Sequence, residues 1–450
     1  MKVKAITRTE AAFTRETVGD LYKQQRNLDP ALHPFEKGRE YVRAVSAAKV
    51  ERMLAKPFVD ALSGHVDGVY AMAKHPTVLD RLYSGSADGE VRIWSLAQRK
   101  TTLAIPHAHR GIVKGIAAVP SSNSFLSCGT DRVVKLWSTD TDEDAHPDPA
   151  VPVSTFIGRN AFNALDHHRR QNMFATAGVA VELWDHDRSN PVQTYSWGTD
   201  TVSSIRFNHT ETSVFASTST DRAIILYDTR MSQPLKKLLL DLASNSVCWN
   251  PMEPYRFAVA NEDHNAYYFD MRNLDRAVNI FKDHVSAVLD LDFSPTGKEL
   301  VTGAYDKTLR IYDVQSGHSR DVYHTKRMQR LWAVRFSMDA KYVLSASDDG
   351  NIRLWKAEAA ATTGVMNARQ KASVEAAHAV VAKYKHLDGV RKIVKSRKVP
   401  KAIKNAAHLK RVMLDARKKK DNNVRKHAKN PDLVRPRVPE REKHIVGTQD

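Results

Sequence analysis

The sequence predicts an all-β fold of seven similar units, set between a helical N-terminal extension and a basic helical C-terminal one. Three observations predict it. A short motif recurs seven times at a near-constant step, each copy reads as a turn followed by a strand, and the charge balance changes abruptly near residue 356.

The repeat comes first, because self-similarity at a fixed period decides the architecture. SADGEVRIW, ending at Trp94, has six relatives, ending at Trp137, Trp184, Tyr227, Phe269, Tyr312 and Trp355. The steps between these aromatic ends are 43, 47, 43, 42, 43 and 43 residues. In six copies an Asp stands six residues before the aromatic: Asp88, Asp131, Asp221, Asp263, Asp306 and Asp349. The third copy has Gly178 there. A small residue followed by Asp makes a tight turn, because the carboxylate accepts nearby backbone N–H groups. The alternating apolar residues after it then run as a strand ending on a large aromatic. His65 and His284 lie 23 and 22 residues before their turn Asp, where a His can bond that carboxylate across a sheet.

Residues 64–356 thereby resemble the WD-repeat family, and the resemblance implies a seven-bladed WD40 β-propeller with the six turn Asp residues in structural roles. After Trp355 the chain leaves before the last blade has its outer strand. PFVDAL, residues 57–62, has the right length to supply it and is expected to close the ring. The longest step contains STDTDEDAHPDPAVPV, residues 138–153, which reads as a solvated insertion or a docking loop. The expected divisions are an N-terminal extension with a helix (1–56), the propeller (57–356) and a basic helical C-terminal domain (357–450).

Charge separates these parts. Residues 1–60 carry 12 Lys and Arg against 8 Asp and Glu, residues 61–356 carry 33 against 34, and residues 357–450 carry 24 against 9. The balances of +4, −1 and +15 make up the net +18. A neutral middle beside a strongly basic end points to an acidic partner for that end. Two cysteines, Cys128 and Cys248, fit a reducing compartment better than a disulfide framework. The N-terminus MKVKAITRTE lacks the apolar run of a signal peptide, and no apolar stretch suits a membrane span.

No enzyme motif stands out: GxxxxGK[ST], CxxC, HExxH and GxSxG are all missing, so neither catalytic residues nor a cofactor are expected. His107/His109 and His167/His168 invite a metal reading, but convergent Cys or carboxylate partners at ligand spacing are missing.

The flanks are more specific. Tyr41, Val45 and Ala48 lie at helical spacing between Pro34 and Pro57. Residues 365–387 and 401–420 read as helices divided at Pro400, the second with an apolar stripe of Ile403, Ala406, Ala407, Met413 and Leu414. Around the stripe stand Lys401, Lys404, Lys410, Arg411, Arg417, Lys418, Lys419 and Lys420, with Arg425 and Lys426 beyond. These ten are the candidate RNA contacts, a reading that competes with a solvated charged helix. Few aromatics interleave them, so phosphate contact is expected rather than base reading. Arg417–Lys420 also reads as a nuclear-import signal.

NLDPALHPFEKGREY, KPFVDALSGHVDGV and the basic C-terminal helices together resemble the Sof-like WD-repeat family, over essentially the whole chain. That resemblance implies a non-catalytic nucleolar assembly factor of the small-subunit processome. Its expected partners are precursor ribosomal RNA, a box C/D small nucleolar ribonucleoprotein and other processome proteins, with no membrane. A second reading rests on Tyr227-Asp228-Thr229-Arg230 and Phe269-Asp270-Met271-Arg272. They resemble the boxes by which some WD-repeat proteins dock the adaptor of a cullin-RING ubiquitin ligase, with Arg230 and Arg272 as the contacts.

Overall fold

The computed structural model describes residues 29–120, 122–139, 150–196, 200–362, 364–428 and 438–449. Seven antiparallel sheets form among the described residues, and in each the first three strands follow one another in chain order from the innermost outward. Blades one to seven span Val69–Ile105, Val113–Ile157, Ala164–Tyr195, Val202–Leu240, Ser244–Phe281, Val288–Tyr323 and Leu331–Lys356. The innermost strands adjoin one another around the ring, and blade seven's packs against blade one's.

Alternation in these strands is muted because most are covered on both faces by neighbouring blades. Every residue of Val214–Ser219, for example, is buried. The cores accordingly lie between blades. Tyr83, Val91 and Ile93 of blade one meet Val113, Ile116 and Trp137 of blade two, and similar clusters follow around the ring. The aromatic strand ends Trp94, Trp137, Trp184, Tyr227, Phe269, Tyr312 and Trp355 are all at most 1 % exposed.

Ring closure comes from the far end of the chain. Phe58–Leu62 pairs antiparallel with Ile352–Lys356, Phe58 opposite Trp355 and Leu62 opposite Ile352. Leu62 is buried in the cluster between blades seven and one, and the Phe58 ring meets Trp355 edge to face at 5.5 Å. One contiguous sheet now contains both ends of the propeller, so opening it would expose two edges at once.

The C-terminal extension is not one body. Its residues 358–396 group with the N-terminal extension, whereas 397–450 group with the ring. In the first unit α1 (Glu36–Leu54) packs with α2 (Ala368–Tyr384) and α3 (Asp388–Val394). Ala44, Ala48 and Val390 form its buried centre, joined by Tyr41, Val45, Val380 and Tyr384. The two alanines allow close helix approach. So does Gly389, where an added Cβ would stand 2.2 Å from the Tyr41 hydroxyl. Glu40 ties the unit across its surface, accepting from Lys383 Nζ at 2.6 Å and Tyr384 OH at 2.8 Å.

With the ring goes α4 (Lys401–His427), one uninterrupted helix that runs past the expected end at 420. No Pro or Gly stands in it, and Asn422 and Asn423 alone do not stop a helix already propagating. A further difference is Ile445–Gln449, which pairs antiparallel with Lys236–Leu240 as a fifth strand on blade four. It covers an edge that would otherwise offer unpaired backbone groups. No helix among the described residues is long and apolar enough to cross a membrane. The acidic segment of the long step falls mainly on 140–149, outside the described residues.

Candidate interaction surfaces

The turn carboxylates are committed to the blades. In blade two Trp137 Nε1–H donates to Ser127 Oγ at 2.8 Å, Ser127 Oγ stands 2.7 Å from His109 Nε2, and His109 Nδ1 reaches Asp131 Oδ2 at 3.0 Å. His109 is therefore a blade residue, not half of a metal pair with His107. The 22-residue spacing His109–Asp131 equals that of His284–Asp306, so the signal was present in the sequence. In blade six His284 Nδ1 meets Asp306 Oδ2 at 3.0 Å and Nε2 meets Thr302 Oγ1 at 2.7 Å.

Burial pushes His284 below its ordinary value, so a neutral ring donates to the carboxylate. Burial alone would raise the Asp306 carboxyl, but His284, Thr308 and Arg310 together hold it well below the usual range. Asp306→Ala should therefore leave buried donors unpaired and cost roughly 1–3 kcal/mol. The expected readout is a lower melting temperature with every binding partner weakened alike. Loss of one partner at unchanged melting temperature would make Asp306 a contact residue instead.

Blade one departs from the expected pairing. His65 Nε2 bonds Ser84 Oγ at 2.7 Å, as does Trp94 Nε1, but His65 Nδ1 faces Glu90 Oε2 at 3.2 Å. Asp88 instead accepts the Glu90 backbone N–H at 3.0 Å and closes the turn. Asp221 accepts from Ala223 N at 3.0 Å and Asp263 from Asn265 N at 2.9 Å, while Asp349 pairs with Arg353. Ligand atoms of His65, Asp88 and Glu90 come within 4.8 Å of one another, the one such trio found among the described residues. Arg92 already pairs with Glu90 at 2.8 Å, and a cation would have to displace it.

Adaptor-box residues Arg230 and Arg272 lie at equivalent places after the third strands of blades four and five, and both are exposed. Asp228 Oδ1 accepts the Arg230 backbone N–H, and Asp270 Oδ1 accepts that of Arg272, each at 3.0 Å. The Arg272 guanidinium forks onto Asp270 at 3.0 and 2.8 Å and stacks 4.5 Å from the Tyr255 ring centre. It is presented in a fixed pose.

The basic helix is different from every other element. Ile403, Ala406, Ala407 and Lys410, spaced three and four apart, are half-buried and form the face turned to the ring. Lys410 Nζ lies 3.4 Å from the His284 carbonyl, and burial lowers its ammonium. Lys410 thus docks the helix, apart from the other nine candidates. From Arg411 to His427 every residue is exposed, Met413 and Leu414 of the expected stripe included. Arg411, Arg417, Lys418, Lys419, Lys420, Arg425 and Lys426 there face only Asp415 and Asp421, a net +5. Consecutive residues turn about 100° apart, so Arg417–Lys420 rings the helix with charge. Lys401 and Lys404 are exposed in its first turn.

Both ends of this segment are held. Upstream, His324 Nε2 meets the Lys398 carbonyl at 3.2 Å. Downstream, Glu440 pairs with Lys282 at 2.6 Å, the Ala277 N–H donates to Arg441 O at 3.0 Å, and His444 stands 3.4 Å from Asp241. The sequence offered no signal for this anchor, because IVGTQ places only Ile445 against the blade cluster.

Two family models match the chain. The Sof1-like domain matches residues 357–445, and the WD domain, G-beta repeat, matches 56–95, 100–138, 276–313 and 315–356. The chain is 44% identical to Protein SOF1 of Saccharomyces cerevisiae over 469 residues, covering 100% of this chain and 95% of that one. It is 46% identical over 447 residues to the DDB1- and CUL4-associated factor 13 of Xenopus laevis and to that of Homo sapiens, covering 99% of each chain. A seven-bladed ring with the basic extension and full-length similarity at this level place the chain in the Sof1-like WD-repeat family.

Proposed function

We propose that the protein is a non-catalytic assembly factor of the small-subunit processome, acting in the nucleolus on precursor ribosomal RNA. The ring serves as a protein scaffold, and α4 follows RNA phosphates within the ribonucleoprotein. The observation that carries this reading is α4 itself. Ten cations stand against two carboxylates on one helix, and its C-terminal 17 residues are exposed on every side. Like charges at neighbouring positions weaken an isolated helix, and a polyanion laid along it removes that repulsion. Similarity to Protein SOF1 over the whole chain supports the same reading. The precursor RNA is expected to arrive with a box C/D small nucleolar ribonucleoprotein and other processome proteins. The test separates import from contact: Arg417, Lys418, Lys419 and Lys420 are changed to Gln and a foreign nuclear signal is fused. Stalled small-subunit rRNA processing supports contact, and normal processing would reduce the cluster to an import signal.

A second role is favoured by Arg230 and Arg272, which occupy equivalent exposed positions in adjacent blades. Relatives carry DDB1 and CUL4 in their names. Replacing both arginines with Ala should abolish recovery of the cullin-ligase adaptor with the protein while processome association persists. Unchanged recovery would remove the boxes from that role.

A further inference from the structure

In blades one, two, four, five, six and seven the register of the innermost strand slips at its second residue. Such bulges re-aim a side chain. Here the slipped residues include Tyr70, Lys114, Ser203, Asn245 and Trp332, and all of these line an axial cavity of about 230 Å³. The polar members are latches between blades. Asn245 Nδ2 donates to the Val288 carbonyl at 2.8 Å, and Ser203 Oγ to that of Ser244 at 3.0 Å.

The other three meet across blades through ring faces, without a hydrogen bond between them. Trp332 and Tyr70 stack at 4.5 Å, and Lys114 Nζ sits 4.8 Å from the Tyr70 ring centre on the adjoining blade. Lys114 is half-buried, and burial lowers its ammonium, with no carboxylate among the described residues acting on it. Other cations of the same cavity have their own counter-ions: Arg206 pairs with Asp166 at 3.4 Å and Arg335 with Asp290 at 2.5 Å. A partly desolvated charge held only by a ring face is an unfinished site. An anion entering here would gain that charge without breaking a pair.

We propose that this mouth binds an acidic side chain on an extended peptide segment of a partner protein, its carboxylate on Lys114 and its neighbouring residues across Trp332. A peptide suits the surroundings better than a polyphosphate chain. Asp348 accepts from Trp332 Nε1 at 3.1 Å, and Asp348 and Asp67 act on Tyr70, opposed by the cation Arg330. A phosphodiester would meet these charges on approach, whereas a peptide can set its acid on Lys114 and a cation or amide beside the aspartates. The inference stands apart from the α4 reading, since residues 61–356 carry a balance of −1.

The experiment is selection of a random peptide library displayed on phage against the full chain, with Lys114→Gln as counter-selection. Enriched peptides should share one Asp or Glu position. A synthetic peptide of that sequence should bind about tenfold more weakly to Lys114→Gln, to a similar extent when its own acid becomes an amide, and no weaker still when both changes are combined. Lys114→Arg should keep most of the affinity, and Lys114→Gln should melt close to the wild type because Lys114 crosses to blade one only through the Tyr70 ring face, with no ion pair among the described residues. Failure to enrich an acidic position, or peptides indifferent to Lys114→Gln, would overturn the proposal. So would a Lys114→Gln variant that loses affinity for a single-stranded RNA oligonucleotide while keeping the peptide.

Discussion

Changing Arg411, Arg417, Lys418, Lys419 and Lys420 to Gln should flatten the salt dependence of RNA binding more than any other substitution in this chain. All five are exposed on the outer part of α4, and Lys410 is left in place because it docks the helix on the His284 carbonyl. Each single-strand phosphate neutralised contributes about 0.7 to the slope of log affinity against log salt, so five such contacts give a change of about 3.5. Raising salt from about 50 to about 200 mM should then cost the native chain roughly 100-fold more affinity than the variant. Unrelated RNA sequences should weaken about equally, since phosphate contacts carry no sequence information. Titrations at several salt concentrations check this, and an unchanged slope would remove these cations from the interface.

Acid should loosen the ring well before its carboxylates titrate. Burial lowers His65, His75, His167, His168 and His284, all of them buried in the blades. His167 is lowered to about 4: burial acts first and the neighbouring His186, 3.1 Å away, acts next. Its Nδ1 donates to the His168 carbonyl, so Nε2 must accept from His186, and a second proton has no place. A depressed His is neutral when folded but protonates in the unfolded chain below about pH 6.5, so stability falls as pH falls through that value. At pH 5 His167 alone then costs about 2 kcal/mol relative to neutral pH. Melting curves between about pH 7 and pH 5 should show a steep decline that His167→Gln partly flattens. A melting temperature indifferent to pH over that range would contradict the buried neutral assignment.

The ring was legible because a propeller writes the same local rule many times. A turn Asp and an aromatic end at one step recur even where Gly178, Tyr227 or Phe269 breaks the pattern. Closure by Phe58–Leu62 could be read from a strand-length apolar run before blade one and a missing strand after blade seven. What stayed hidden depends on partners distant in sequence. Ala44 and Ala48 look like filler until Val390 packs against them and Gly389 lets Tyr41 approach, so residues 358–396 could not be assigned to the N-terminal helix. Strand Ile445–Gln449 shows no apolar alternation in its sequence IVGTQ, and its pairing is supplied by the blade-four edge. Blade one shows a subtler limit, with Glu90 facing His65 while Asp88 closes the turn. Spacing located the carboxylates but did not choose between them. In α4 the periodicity located the docking face but not where docking ends. Ile403 to Lys410 is half-buried, and the same stripe is exposed from Met413 onward because the helix has run past its support.

Ultraviolet crosslinking of the full chain to RNA in cells tests the account most directly when the nucleotide-bearing peptides are located by mass spectrometry and the bound RNA is sequenced. The account predicts adducts concentrated in peptides from residues 401–427, carried by small-subunit precursor RNA and its small nucleolar partner. Adducts confined to the blades, with α4 peptides recovered unmodified, would contradict it.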